Sequence, residues 1–148
     1  VVYPIVNLRS WGGGPTAYVR TLETLLMEAL GEFGINAESD GYPTGVWVKG
    51  AKIASIGVKV SRGVTTHGFA LNVDPNLSFF DHIVPCGTLT ADITSIAAEC
   101  SSNPITINAV IPVVFRQFAK AFEFDIEWQT LESTGLITKL GASFLEKA

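Results

Sequence analysis

At 148 residues, 47% of them apolar and 16% charged, the chain has the size and composition of one folded domain, which excludes an intrinsically disordered protein. Its 14 acidic against 10 basic residues leave a net charge of -4 and no basic face for a phosphate backbone, so nucleic acid is excluded as the expected partner. No apolar run approaches the roughly 18 residues that span a bilayer, and the start has none of the features of a secretory signal, so no membrane partner is expected.

The chain opens on the apolar run Val1 to Leu8, which Pro4 restricts to a strand end, an edge or a bulge. Val1 already stands inside this strand-like run. The expectation is a single domain over residues 1–148 that lacks its N-terminal segment. Trp11-Gly12-Gly13-Gly14-Pro15 then breaks the chain. Beyond it Leu22, Leu25, Leu26, Ala29, Leu30 and Phe33 recur at helical spacing, with Arg20, Glu23, Glu28 and Glu32 between them. This predicts an amphipathic helix from about Thr16 to Phe33, ended by Gly34, and a loop from Ser39 to Thr44.

From Gly45 to Val73 β-branched and aromatic residues punctuated by glycine predict three short strands, the first two joined by a tight turn at Lys49-Gly50-Ala51. Pro75 and Pro85 predict irregular chain from Asp74 to Cys86. A short helix is expected to begin between Thr90 and Ile96. A longer one is predicted over Ile107 to Phe122, with Val110, Val114, Phe118 and Phe122 on one side and Pro112 in its first turns. With no internal repeat, the simplest account is one α+β domain.

Cys86 lies in the Pro/Gly-bounded run Val84-Pro85-Cys86-Gly87, the kind of loop in which reactive side chains sit. A nucleophilic thiol needs a nearby cation, base or helix N-terminus to favour the thiolate. The alternative is a small buried hydrophobe, which most free cysteines are. Lys52 lies in Gly50-Ala51-Lys52-Ile53-Ala54-Ser55-Ile56-Gly57, an otherwise apolar strand. Withdrawn from water, a lysine is usable as a base; the alternative is an ordinary strand lysine with its amine in solvent. Gly57 and Gly68 either admit a ligand close to the backbone or mark bulges. His67 and His82 permit a rival Cys-His hydrolase in which an imidazole activates Cys86. The spacing of Cys86, Cys100, His67 and His82 is not that of zinc ligands, and no phosphate-binding glycine loop is present, so neither metal nor cofactor is expected.

Taken together, VVYPI, GVWVKGAKIASIGVKV, TTHGFALNV and IVPCG, in this order and spacing from Val1 to about Ile96, resemble the lipoyl(octanoyl) transferase family. The resemblance implies the fold of the biotin and lipoate protein ligases, a mixed sheet flanked by helices, related to class II aminoacyl-tRNA synthetases. It implies transfer of an octanoyl or lipoyl group from acyl carrier protein, through a cysteine thioester, to a lysine of a lipoyl domain. Such acceptors belong to the 2-oxoacid dehydrogenases and the glycine cleavage H protein. Matched motif by motif, Cys86 is the acyl-bearing nucleophile and Lys52 its acid/base partner. Ser55, Ile56 and Gly57 match one substrate-contacting stretch, and Gly68, Phe69 and Ala70 a second. Members of the family carry Arg-Gly-Gly and Tyr-His-Gly motifs upstream of the position matching Val1; without them the chain alone is expected to be poorly active.

The nearest rival is an ATP-dependent lipoate or biotin protein ligase, which does not need the cysteine; a non-catalytic acyl-binding module is another. Lys49, Lys59 and Arg62 are candidates for a basic patch toward an acidic carrier protein. Cytoplasm is the default compartment, with mitochondrion or plastid as alternatives. Cys100 and the tail after Phe122 carry no expected role.

Overall fold

The computed structural model describes residues 1–82, 92–100, 104–125 and 127. Helix α1 (Leu8–Trp11) is one turn, capped by the Asn7 side chain and closed by Gly12 in the left-handed region. Helix α2 (Pro15–Gly31) begins with proline at its first position, where the missing N–H costs nothing. It ends in a Schellman motif: Ile35 N–H donates to Leu30 O and Gly34 N–H to Gly31 O, with Gly34 at φ +76°. The glycine anticipated from the sequence is therefore the residue that stops the helix.

Three antiparallel strands follow in the order β1 (Val46–Val48), β2 (Ala51–Ser61) and β3 (Val64–Leu71). Both hairpins have two-residue turns, Lys49-Gly50 and Arg62-Gly63, with all four residues at positive φ. These are the turns whose twist matches that of the strands they join. Residues 1–7 run antiparallel beside β3 through the bridges Val2↔Phe69 and Asn7↔Val64. Pro4 interrupts this ladder, and Thr65 repairs it: its hydroxyl donates to Pro4 O and accepts from Val6 N–H. On the other flank of the sheet, Glu38 pairs with Trp47. Where β3 leaves β2, Ile93 forms an isolated parallel bridge with Lys52, outside the three antiparallel strands.

The core lies between the sheet and helices α2 and α4 (Ile107–Phe122), with Leu22, Leu25, Leu26, Leu30, Ile53 and Ala54 fully enclosed. Helix α4 has the predicted bounds, and its Phe122 ring sits among Trp11, Tyr18, Phe118 and Phe124. Lys120 pairs with Glu28, and Arg116 and Gln117 both donate to Glu32, tying α4 to α2. No described helix is long and apolar enough to cross a membrane.

One expectation needs correction. Leu77–His82 is a 3-10 helix and not irregular chain: the Asn76 side chain accepts from Ser78 N–H and Ser78 Oγ and so starts a turn that Pro75 only precedes. The short helix expected to begin between Thr90 and Ile96 is α3 (Ile96–Glu99), which starts at the late end of that range because residues 92–94 bond to Lys52; Ser95 then caps the helix.

Candidate active site

The strand β2 alternates Lys52, Ala54, Ile56, Val58 and Val60 with Ile53, Ser55, Gly57, Lys59 and Ser61. From Ile56 onward the even set is half-buried against the core while Gly57, Lys59 and Ser61 are exposed. At the other end of the strand both sets are covered. Lys52 is only 1% exposed, which removes the reading of an ordinary lysine with its amine in solvent.

The enclosure of Lys52 comes from four directions. Trp47 is its cross-strand partner across the Lys49-Gly50 turn, and the indole ring lies 4.7 Å from the Lys52 Nζ. Gly45 lies beside the stem: a Cβ built there would stand 3.3 Å from Lys52 Cε and 2.7 Å from Ala54 O. The Gly45 N–H donates to Glu23 Oε1 at 3.1 Å, so the buried carboxylate of α2 holds this wall in place. On the free edge of the strand, Lys52 N–H donates to Asp92 O at 2.7 Å and Lys52 O accepts from Thr94 N–H at 3.0 Å. Among the described residues nothing hydrogen-bonds the Lys52 Nζ. A buried amine left in this way costs stability, and a catalytic role is one of the reasons for which such a cost is retained.

Cys86, with the rest of IVPCG, lies outside the described residues. Five residues of chain, 87–91, separate it from Asp92, the residue bonded to Lys52.

The two stretches matched as substrate contacts meet across the sheet, one partner for each residue: Ser55↔Ala70, Ile56↔Phe69 and Gly57↔Gly68. Their glycines are not equivalent. A Cβ on Gly57 would enter open space, whereas one on Gly68 would stand 2.3 Å from Val2 O and 2.4 Å from Pro4 Cδ. Gly68 lets residues 1–7 cross the strand. Phe69 is buried in the core and Ile56 and Leu71 pack half-buried against it. The groove of about 310 Å³ between α2 and α4, lined by Arg20, Thr24, Glu28 and Lys120 among others, includes no strand residue.

His67 is exposed, with φ +63°, and meets Tyr3 edge-on; His82 is exposed at the end of the 3-10 helix. Cys100 is half-buried, its thiol directed at Phe33 O. Among the described residues no three His, Cys, Asp or Glu side chains gather as metal ligands would. Of the three candidates for a basic patch, Lys49 is paired with Glu99 at 3.1 Å, while Lys59 and Arg62 are exposed near the β2–β3 turn.

Glu99 clamps the flank of the site: it accepts from the Thr94 hydroxyl at 2.7 Å and pairs with Lys49. The Thr94 hydrogen bond, with Lys49 beside it, holds the Glu99 carboxyl below its ordinary value of 4.5. A carboxyl depressed on folding stabilises the native state above its unfolded pKa and loses that contribution as pH falls through the lowered value. Glu99→Gln is therefore expected to cost about 1 kcal/mol at neutral pH. Urea unfolding at a series of pH values should show this deficit shrinking below pH 4.5 and vanishing in stronger acid; a deficit that stays constant would assign the loss to packing.

Three participants were not singled out in the sequence: Glu23, Gly45 and Trp47. For Glu23 a signal exists, since it stands at i, i+3, i+7 with Leu26 and Leu30 on the apolar stripe of α2, where a charge requires a buried partner. In the folded chain Glu23 is 3% exposed.

The family model of the lipoyl protein ligase A/B catalytic domain matches residues 1–119. An octanoyltransferase of Gloeobacter violaceus is 46% identical over 133 residues, covering 90% of this chain and 59% of that protein. A mitochondrial octanoyltransferase of Arabidopsis thaliana is 40% identical, covering 87% of this chain and 56% of its own length. The chain thus spans little more than half the length of these relatives. Among solved structures, lipoate-protein ligase A bound with ATP superposes with a TM-score of 0.65 at 16% identity, covering 81% of this chain and 51% of that one. The apo biotin protein ligase of Aquifex aeolicus gives 0.63 at 16% identity, covering 82% and 51%. At such identities the likeness is one of fold.

Proposed function

Because the chain belongs to the lipoyl protein ligase A/B catalytic domain family, we propose that it is the part of an octanoyltransferase that carries the acyl-bearing nucleophile, Cys86, and its proton-transfer partner, Lys52. One observation carries the reading: Lys52 is enclosed, its Nζ bears no hydrogen bond among the described residues, and its backbone is bonded to a segment whose Asp92 follows Cys86 by six positions.

The chemistry needs one base used twice. The Lys52 amine takes the Cys86 thiol proton, and the thiolate attacks the octanoyl carbonyl on the carrier protein's pantetheine. A new C–S bond forms, the old one breaks, and the ammonium returns the proton to the departing thiol. In the second half the free amine of a lipoyl-domain lysine attacks the Cys86 thioester. A C–N bond forms as the acyl C–S bond to Cys86 breaks, and Lys52 carries the proton released by the amine to the departing cysteine thiolate. Ile56, Phe69 and Leu71, neighbours across β2 and β3, supply apolar surface for the acyl chain, at about 0.8 kcal/mol per methylene buried. Ser55, Gly57, Gly68 and Ala70 complete the substrate-contacting pair of strands.

The test is intact-mass analysis of the full-length protein after incubation with octanoyl carrier protein, without ATP. An octanoyl increment that is absent from Cys86→Ala is the expected result. An increment that persists in Cys86→Ala would assign the acyl group to another nucleophile, and transfer to a lipoyl domain that requires ATP would replace this reading by an ATP-dependent ligase chemistry. Loss of the increment in His82→Ala with none in Lys52→Ala would favour a Cys-His pair instead.

A further inference from the structure

We propose that Trp47 is a positioning residue for Lys52, its indole face serving as the seat that aims the amine without fixing its proton. The inference rests on the role given to Lys52 above and names what holds that side chain in place.

An enclosed ammonium normally has a carboxylate or several hydrogen-bond acceptors around it. Lys52 has neither among the described residues; what faces it is the Trp47 ring, 4.7 Å from Nζ and within the range of a cation–π contact. The ring is itself immobilised. Trp47 Nε1 donates to Pro43 O at 2.9 Å, Tyr42 stacks on the indole at 4.9 Å and 18°, and the Trp47 backbone exchanges both hydrogen bonds with Glu38. Although 2% exposed, Trp47 stands outside the main apolar cluster that takes in its neighbours Val46 and Val48. Its indole is engaged by Tyr42, Pro43 and Lys52.

The placement is built into the hairpin. Trp47 and Lys52 are register partners across a two-residue turn, so both side chains leave the same face. Gly45, without a side chain, closes the stem of Lys52 on the other side, and Glu23 holds that glycine by its N–H. The arrangement suits a group that must give and take a proton in one cycle. A carboxylate would hold the amine as an ion pair, and a carbonyl would take one of its protons in a hydrogen bond. An aromatic face attracts the cation and offers no acceptor that competes for its proton.

The test uses the full-length protein with Trp47→Leu and Trp47→Phe, read in two ways. With lysines labelled at the ε-carbon, the Lys52 ε-methylene of the parent is expected well upfield of the other lysines, from the ring current of the indole, and at the ordinary position in Trp47→Leu. In single-turnover acylation by octanoyl carrier protein, Trp47→Leu is expected to slow thioester formation at saturating donor tenfold or more with the half-saturating donor concentration unchanged. Trp47→Phe, which keeps a smaller π face, should recover most of the rate. An unshifted Lys52 signal in the parent overturns the proposal whether or not a variant folds. So does a folded Trp47→Leu that acylates at the parent rate while Lys52→Met does not. If Lys52→Met itself acylates normally, the role given to Lys52 has failed, and with it this inference.

Discussion

Replacing Lys52 by methionine is expected to slow octanoyl transfer by about a hundredfold to ten-thousandfold and, in the same protein, to raise stability by about 1 to 3 kcal/mol. The two signs follow from one fact. Lys52 is 1% exposed and its Nζ has no hydrogen-bond partner among the described residues, so the native state carries the desolvation cost of a polar group whose compensation is the Trp47 ring. Methionine keeps an unbranched stem of similar length, fits the channel beside Gly45, and offers sulfur to the indole in place of the ammonium. The strand hydrogen bonds to Asp92 and Thr94 come from the Lys52 backbone and survive the change. Single-turnover transfer and urea unfolding of the same preparation are the measurements. A lysine retained for structure predicts the reverse outcome, lower stability with transfer intact, and that outcome would remove Lys52 from the mechanism.

Gly45→Ala is expected to cost about 3 kcal/mol of stability and to disable the site with it. The backbone at Gly45 has φ +138°, which an L side chain rarely adopts, and the new Cβ would lie 2.7 Å from Ala54 O and 3.3 Å from Lys52 Cε. The Lys52 tip could give way, but Ala54 O belongs to a central strand and cannot. Nor can Gly45 move freely, because its N–H is bonded to the buried Glu23 carboxylate. Relief therefore requires either the loss of that bond or displacement of β1 from β2, and Trp47 would leave its register with Lys52 in the second case. Urea unfolding and the Lys52 ε-methylene shift measure the two consequences. A loss below about 1 kcal/mol would mean that the loop before β1 yields more easily than its hydrogen bonds imply.

Much of this molecule is legible in its order of residues. Apolar spacing gives the bounds of α4 and, within two residues, of α2; Gly34 marks the Schellman stop, and Lys49-Gly50 marks a two-residue hairpin. These features are local: periodicity and positive-φ turns are decided by residues a few positions apart. The motifs around Lys52 and Cys86 were readable for the same reason, as short runs, and the family to which they point is the one the comparisons give.

What only the tertiary structure decided is the environment of those residues. Alternation along β2 places Lys52 on one face but does not say whether that face is wet, and its enclosure depends on Trp47 across a turn and on Gly45 and Glu23 packed from farther along the chain. Gly68 reads locally as a bulge or a ligand approach, yet its bare α-carbon admits residues 1–7, more than sixty positions away. Where between Thr90 and Ile96 the short helix begins was likewise decided at a distance, because the backbone of residues 92–94 bonds to Lys52. Local pattern sets which way a side chain points; desolvation is set by whatever packs over it, and that is a property of distant segments brought together.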